Sequence, residues 1–286
     1  MFSLLFFRAE DDQPIALEEM ADVIAAIPGM RLEGSVGAAY RPGRWRDVMT
    51  GAACIVDLGE PPLEQDPMHP PRAYAGWRAL PLSLNIPLAG PHWFCVEALR
   101  VADAILEAFP GVHALDTEDT IAEADAEPGP FTWNRMRALA SWEHQRDARC
   151  EALGDIPAMH RLASVAMWRY RRERAAGRDQ HRRHVWPDAM ALRDASDRSA
   201  LSAAFFRDPG TPMAVPPVDL LIVQRDGETG VLPASEVITA AGGGTPAGIA
   251  QAVLIEPNAG LATFLREASI LPTSAFSALG DEDWRD

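Results

Sequence analysis

The chain has 286 residues, 48% of them hydrophobic and 23% charged, with a formal net charge of -15. That length and composition suit a globular protein with room for one large or two modest domains, and they exclude global disorder. The negative balance repels nucleic acid and anionic membranes, and all 26 basic residues are arginine, which removes lysine Schiff-base, phosphate-loop and kinase-type chemistry.

Residues 2–8, FSLLFFR, are dense in aromatic and aliphatic side chains and predict a buried strand. A helix follows within DDQPIALEEMADVIAAIPG, with Asp12 as its cap and Pro14 in its first turn. Its apolar stripe is Ile15, Met20, Val23, Ile24 and Ile27. Residues 51–61 read as a second strand. The prolines of 61–76 force a long irregular loop, and the acids around its start, Glu60, Glu64 and Asp66, are candidate binding residues for a basic partner. Leu80, Leu82, Leu84 and Ile86 then alternate as in a half-buried strand, and Pro81 and Pro87 suggest an edge position or strand ends. A helix over 92–111 and a strand over 112–119 complete the order strand, helix, strand, strand, helix, strand. This is the ferredoxin-like split β-α-β order, with both helices expected on one face of an antiparallel sheet.

Residues 121–185 predict a helical hairpin broken at Gly154 and Pro157. Beyond it, 218–225 and 251–257 read as strands, PASEVITAAGG and AGLATFLREA as helices, and LPTSAFSAL as a final strand. The Gly-rich GGGTPAG lacks the lysine and spacing of a phosphate loop and reads as a flexible connector. The expected fold is α+β in three segments: a ferredoxin-like domain over 1–120, a helical-hairpin connector over 121–185 and a second α/β half over 186–286.

The stretch WRYRRERAAGRDQHRRH, Trp168 to His184, carries seven arginines against two acids. Trp168, Arg169, Arg171, Arg172 and Arg174 are candidate binding residues, since tryptophan and arginine dominate interface hot spots and arginine holds anions bidentately. The competing reading is a helix end whose cations meet the helix dipole and the acidic remainder of the same chain. His181 and His184 are three apart, but the surrounding arginines oppose a metal cation. Cys95 offers a nucleophile in the first turn of a helix, where the dipole lowers a thiol pKa, with His92 as a nearby base. Asp116 and Glu118 supply carboxylates at a strand end. No serine-hydrolase elbow, metalloprotease or paired-cysteine motif occurs.

Three scattered cysteines are too few for a disulfide framework, and the apolar start lacks a basic flank, so a cytoplasmic protein is expected. No cofactor or metal is implied. The functional expectation is an acidic, non-enzymatic protein that binds a basic partner protein, of immunity or secretion-accessory type. The alternative is a hydrolase or transferase built on Cys95, His92, Asp116 and Glu118.

Overall fold

A computed structural model describes residues 1–35, 37–59, 76–116, 133–196, 199–206, 208–225 and 227–286. The fold is α+β, with helices and strands in three separate sheets. The chain divides into two compact units, Met1–Gly154 and Asp155–Asp286.

The first unit runs β1 (Phe2–Ala9), α1 (Leu17–Ala26), β2 (Met30–Leu32), β3 (Tyr40–Arg46), β4 (Ala53–Gly59), β5 (Trp77–Ile86), α2 (His92–Ala108), β6 (Val112–Asp116) and α3 (Arg135–Leu153). Its strands form one antiparallel sheet in the order β2-β3-β4-β5-β1-β6. Alternation sets the two faces. Leu4, Val56, Leu58, Leu82, Leu84 and Ile86 are buried on one face, where α1 and α2 touch each other and the sheet. Their neighbours Ser3, Ile55, Asp57, Ser83 and Asn85 point the other way and are partly exposed.

Several local expectations give way here. Helix α1 begins at Leu17, without a side-chain cap at Ala16; Asp12 instead accepts a hydrogen bond from Arg8 Nε at 3.3 Å, and Glu18 and Glu19 supply the negative charge of the first turn. Ile15 therefore lies ahead of the helix, whose buried residues are Met20, Ala21 and Ile24. Strand β5 is central rather than at an edge. Pro81 is tolerated because β4 pairs with β5 only from Leu82 onward, and the β1–β5 register shifts between Leu5 and Phe7, opposite Pro81. Strands β2 and β3 were not evident from the pattern: Tyr40–Arg46 contains Pro42, Gly43 and three arginines, and it pairs along its whole length with β4 because the partner strand supplies the apolar face.

The second unit runs α4 (Arg161–Gln180), β7 (Ala189–Asp194), β8 (Ala200–Phe206), β9 (Met213–Val215), β10 (Leu220–Arg225), β11 (Glu228–Pro233), α5 (Ala234–Ala240), β12 (Thr245–Pro246), β13 (Val253–Ile255), α6 (Ala259–Glu267), β14 (Leu271–Pro272) and β15 (Phe276–Leu279). Six strands form a mixed sheet, β14-β11-β10-β8-β7-β15, in which β8 and β10 are parallel. The other three form a small sheet, β12-β13-β9. Ala204, Phe206, Leu221, Val223 and Leu232 of the large sheet pack with Val237 of α5, Leu261 of α6 and Met213, Val215 and Ile255 of the small one. Strands β10 and β13 match strands expected from the sequence, and the expected final strand LPTSAFSAL is split into β14 and β15 by a short 3-10 turn over Thr273–Ala275. The alanine-rich β7 and β8 carry little β-propensity and are defined by their pairing. Within GGGTPAG, Gly242, Gly243, Gly244 and Gly248 take positive φ, while Thr245–Pro246 pairs with β13, so part of this segment is a strand rather than a free connector.

The expected helical hairpin is divided between the units. Gly154, left-handed at φ 68°, ends α3 and lies at the boundary. Helix α3 packs on α2, whereas α4 packs on β7 and β8.

Candidate functional site

Helix α4 explains the arginine stretch. Arg171 donates to the Ala189 carbonyl at 3.1 and 2.9 Å and pairs with Asp281 at 3.0 Å. Arg174 pairs with Asp188, Arg178 donates to the Trp186 carbonyl at 3.1 Å, and Arg183 pairs with Glu256. Arg172 lies over the Trp168 ring, 5.7 Å from its centroid, and Arg182 donates to the Asp179 carbonyl. Six of the seven arginines thus meet groups of the second unit itself, and Arg169 is exposed. Burial, ahead of the neighbouring Arg178, lowers the Arg174 pKa. Gly177 completes the packing: a Cβ there would sit 2.4 Å from the Trp186 ring, so glycine lets Trp186 lie against α4 and stack on Tyr170. The His181 and His184 rings meet edge to face, 6.1 Å between centroids, but take different polar partners. His181 faces the Ala247 carbonyl at 3.0 Å, and His184 lies 3.2 Å from Glu256.

The cysteine candidate sits in the first turn of α2, as expected, but is fully buried. Burial pushes the Cys95 thiol well above its ordinary pKa, which corrects the expectation of a dipole-lowered thiol. Desolvation wins because Trp93, Phe94, Ala98 and Leu99 around it are themselves buried. His92 is also buried, and Asp116 accepts a hydrogen bond from Ser141 of α3. A cleft of about 250 Å³ between the start of α1 and the end of α2 is lined by Arg8, Gln13, Glu19 and Phe109 and includes neither Cys95 nor His92. Glu118, Glu60, Glu64 and Asp66 lie outside the described residues.

A different cluster lies on the face of the first sheet opposite α1 and α2. Tyr40 on β3 donates its O–H to Asp57 Oδ1 at 2.6 Å. Asn85 on β5 donates to Asp57 Oδ2 at 2.7 Å and to Ser83 Oγ at 3.1 Å, and accepts from Ser3 Oγ at 2.7 Å. Four strands contribute to this chain of contacts. Burial, then the hydrogen bond to Asp57, pushes the Tyr40 phenol up to about 12. Among the described residues no cation pairs with Asp57. The sequence holds a trace of this cluster: Asp57 and Asn85 are polar residues alternating with Val56, Leu58, Leu84 and Ile86, which places them on the opposite face. Their proximity depends on β4 and β5 pairing in a register that sets Asp57 across from Ser83, which no local pattern reveals.

Among the described residues no helix is long and apolar enough to cross a membrane. Comparison with protein-family models, curated proteins and solved structures finds no match.

Proposed function

We propose that this protein is a non-enzymatic binding protein, of immunity or secretion-accessory type, that neutralises or escorts a basic partner protein. The observation that carries the reading is the segregation of charge between the units. The first unit holds twelve arginines against twenty-four acids, whereas the second holds fourteen against seventeen. Six arginines of the α4 stretch meet groups of their own unit, so in this reading that stretch is an internal tie and the first unit is the binding surface. An excess of one sign accelerates encounter with an oppositely charged protein and repels polyanions. The reading takes β6-β1-β5-β4 with α1 and α2 as a ferredoxin-like unit extended at one edge by β2 and β3, and the antiparallel order supports it. Three buried thiols agree with a cytoplasmic setting.

The test is affinity capture of tagged full-length protein from native lysate, washed at low and high salt, with mass spectrometry of the retained proteins. One stoichiometric basic protein, released as salt rises, is the expected result. A bait that retains nothing, or a partner held equally well at high salt, overturns the reading.

A further inference from the structure

We propose that the cleft between the start of α1 and the end of α2 receives an arginine side chain of the basic partner. This inference rests on the function proposed above and adds the docking site and the chemistry of recognition.

Three features of the cleft carry it. First, its size and walls suit one long side chain. At about 250 Å³ it is smaller than the ~300–1,000 Å³ of small-molecule sites, and Pro14, Ile15 and Pro110 offer apolar contact to an aliphatic stem. Second, the end of α2 is left without a cation. No basic residue lies in its last turn, and Pro110 has no N–H to give the Leu106 carbonyl, so the negative end of the helix dipole borders the cleft at Ala108, Phe109 and Pro110. A guanidinium, with its planar fork of N–H donors, can meet such a carbonyl and a carboxylate together. Third, the segments that form the cleft are acidic in their own right. Glu10 and Asp11 precede α1, Glu19 and Asp22 lie three apart on it, and Glu107 is in the last turn of α2. All five are exposed, and none has an ion-pair partner among the described residues; Glu19 lines the cleft itself. The features that oppose a cation are answered locally. Arg8 pairs with Asp12 at 3.3 Å, Arg78 is held by the Glu10 and Asp12 carbonyls at 2.7 and 3.2 Å, and Glu18 and Glu19 stand in the first turn of α1, at its positive end.

The test uses the full chain and a fluorescein-labelled nona-arginine peptide, titrated at physiological salt by fluorescence anisotropy. Ala108→Trp fills the cleft from an exposed position in the last turn of α2 and leaves every charge in place. Glu19→Gln removes the carboxylate that lines it. Glu151→Gln removes the same charge from the exposed end of α3, which runs on past Trp142, itself bonded at 2.9 Å to the Pro87 carbonyl at the far end of α2 from the cleft. The expected result is an affinity loss of about fivefold for Ala108→Trp and for Glu19→Gln and less than about twofold for Glu151→Gln. Circular dichroism and melting verify that each variant is folded, and Glu19→Gln, a surface change, decides if Ala108→Trp fails to fold. Unchanged affinity in a folded Ala108→Trp, or a loss for Glu19→Gln no greater than that for Glu151→Gln, overturns the assignment of the cleft and leaves the acidic-binder reading standing. A wild-type chain that does not bind the peptide overturns both.

Discussion

Single side chains in this protein are set more by burial than by their place along the chain. At Cys95 a helix N-terminus favours the thiolate, but a fully buried site disfavours it more, and the thiol stays protonated. His184 shows the same balance. Burial lowers its pKa, with Glu256 opposing and Arg183 reinforcing the shift. The sign of the pH dependence follows. The unfolded chain binds a proton near the ordinary histidine value of about 6.5, while the folded chain resists it to lower pH. His184 therefore costs nothing above that value and progressively destabilises the second unit as pH falls below it. Urea denaturation of wild type and His184→Leu at a series of pH values is expected to show a shallower acid-side loss in the variant. Identical slopes would mean that His184 does not carry that linkage.

At the level of elements, pairing and clasping repair weak local preferences. The connection from β12 to β13 turns through Ala250 and Gln251 at φ 55° and 56°, with Ala252 N–H donating to the Ile249 carbonyl at 3.1 Å. Two successive left-handed residues are the mark of a type I′ turn, which favours Asn-Gly and disfavours Ala-Gln. Glu173 of α4 holds the turn by accepting the Ala250 N–H at 2.7 Å. Because Gln251 is exposed, Gln251→Gly is expected to relieve strain without losing packing and to stabilise the second unit by about 0.5–1 kcal/mol, net of the added freedom of the unfolded chain. Equilibrium denaturation measures it; a destabilised variant would show that the glutamine side chain holds the turn. The same logic explains which strands were legible. FSLLFFR and VDLLIVQR carry enough apolar surface to announce themselves, while the strands at 40–46, 189–194 and 200–206 become strands through the partners they find.

For the whole molecule, the informative quantity is the distribution of charge. A unit with twelve arginines and twenty-four acids repels itself, and one with fourteen and seventeen does so far less. Raising salt from about 10 mM to about 1 M shortens the screening length from about 30 Å to about 3 Å. The first unit is expected to gain stability over that range relative to the second. Hydrogen exchange in urea, read peptide by peptide with the full chain, separates the two. Equal salt responses would show that the carboxylates of the first unit are compensated locally.

The sequence by itself determined the composition class, the absence of lysine chemistry, the α+β character and the order of the first unit's most apolar elements, because hydrophobic periodicity and turn residues are local properties. It also showed an arginine-rich helix in an acidic chain. Only the tertiary structure decided what those arginines meet, since Asp188, Asp281 and the carbonyls of Ala189 and Trp186 reach α4, and Glu256 reaches Arg183 just beyond it, from other segments. It likewise decided that Cys95 is enclosed and that Ser3, Tyr40, Asp57 and Asn85 share one face. Register and burial are relations between segments distant along the chain, and no window of sequence contains both sides of them.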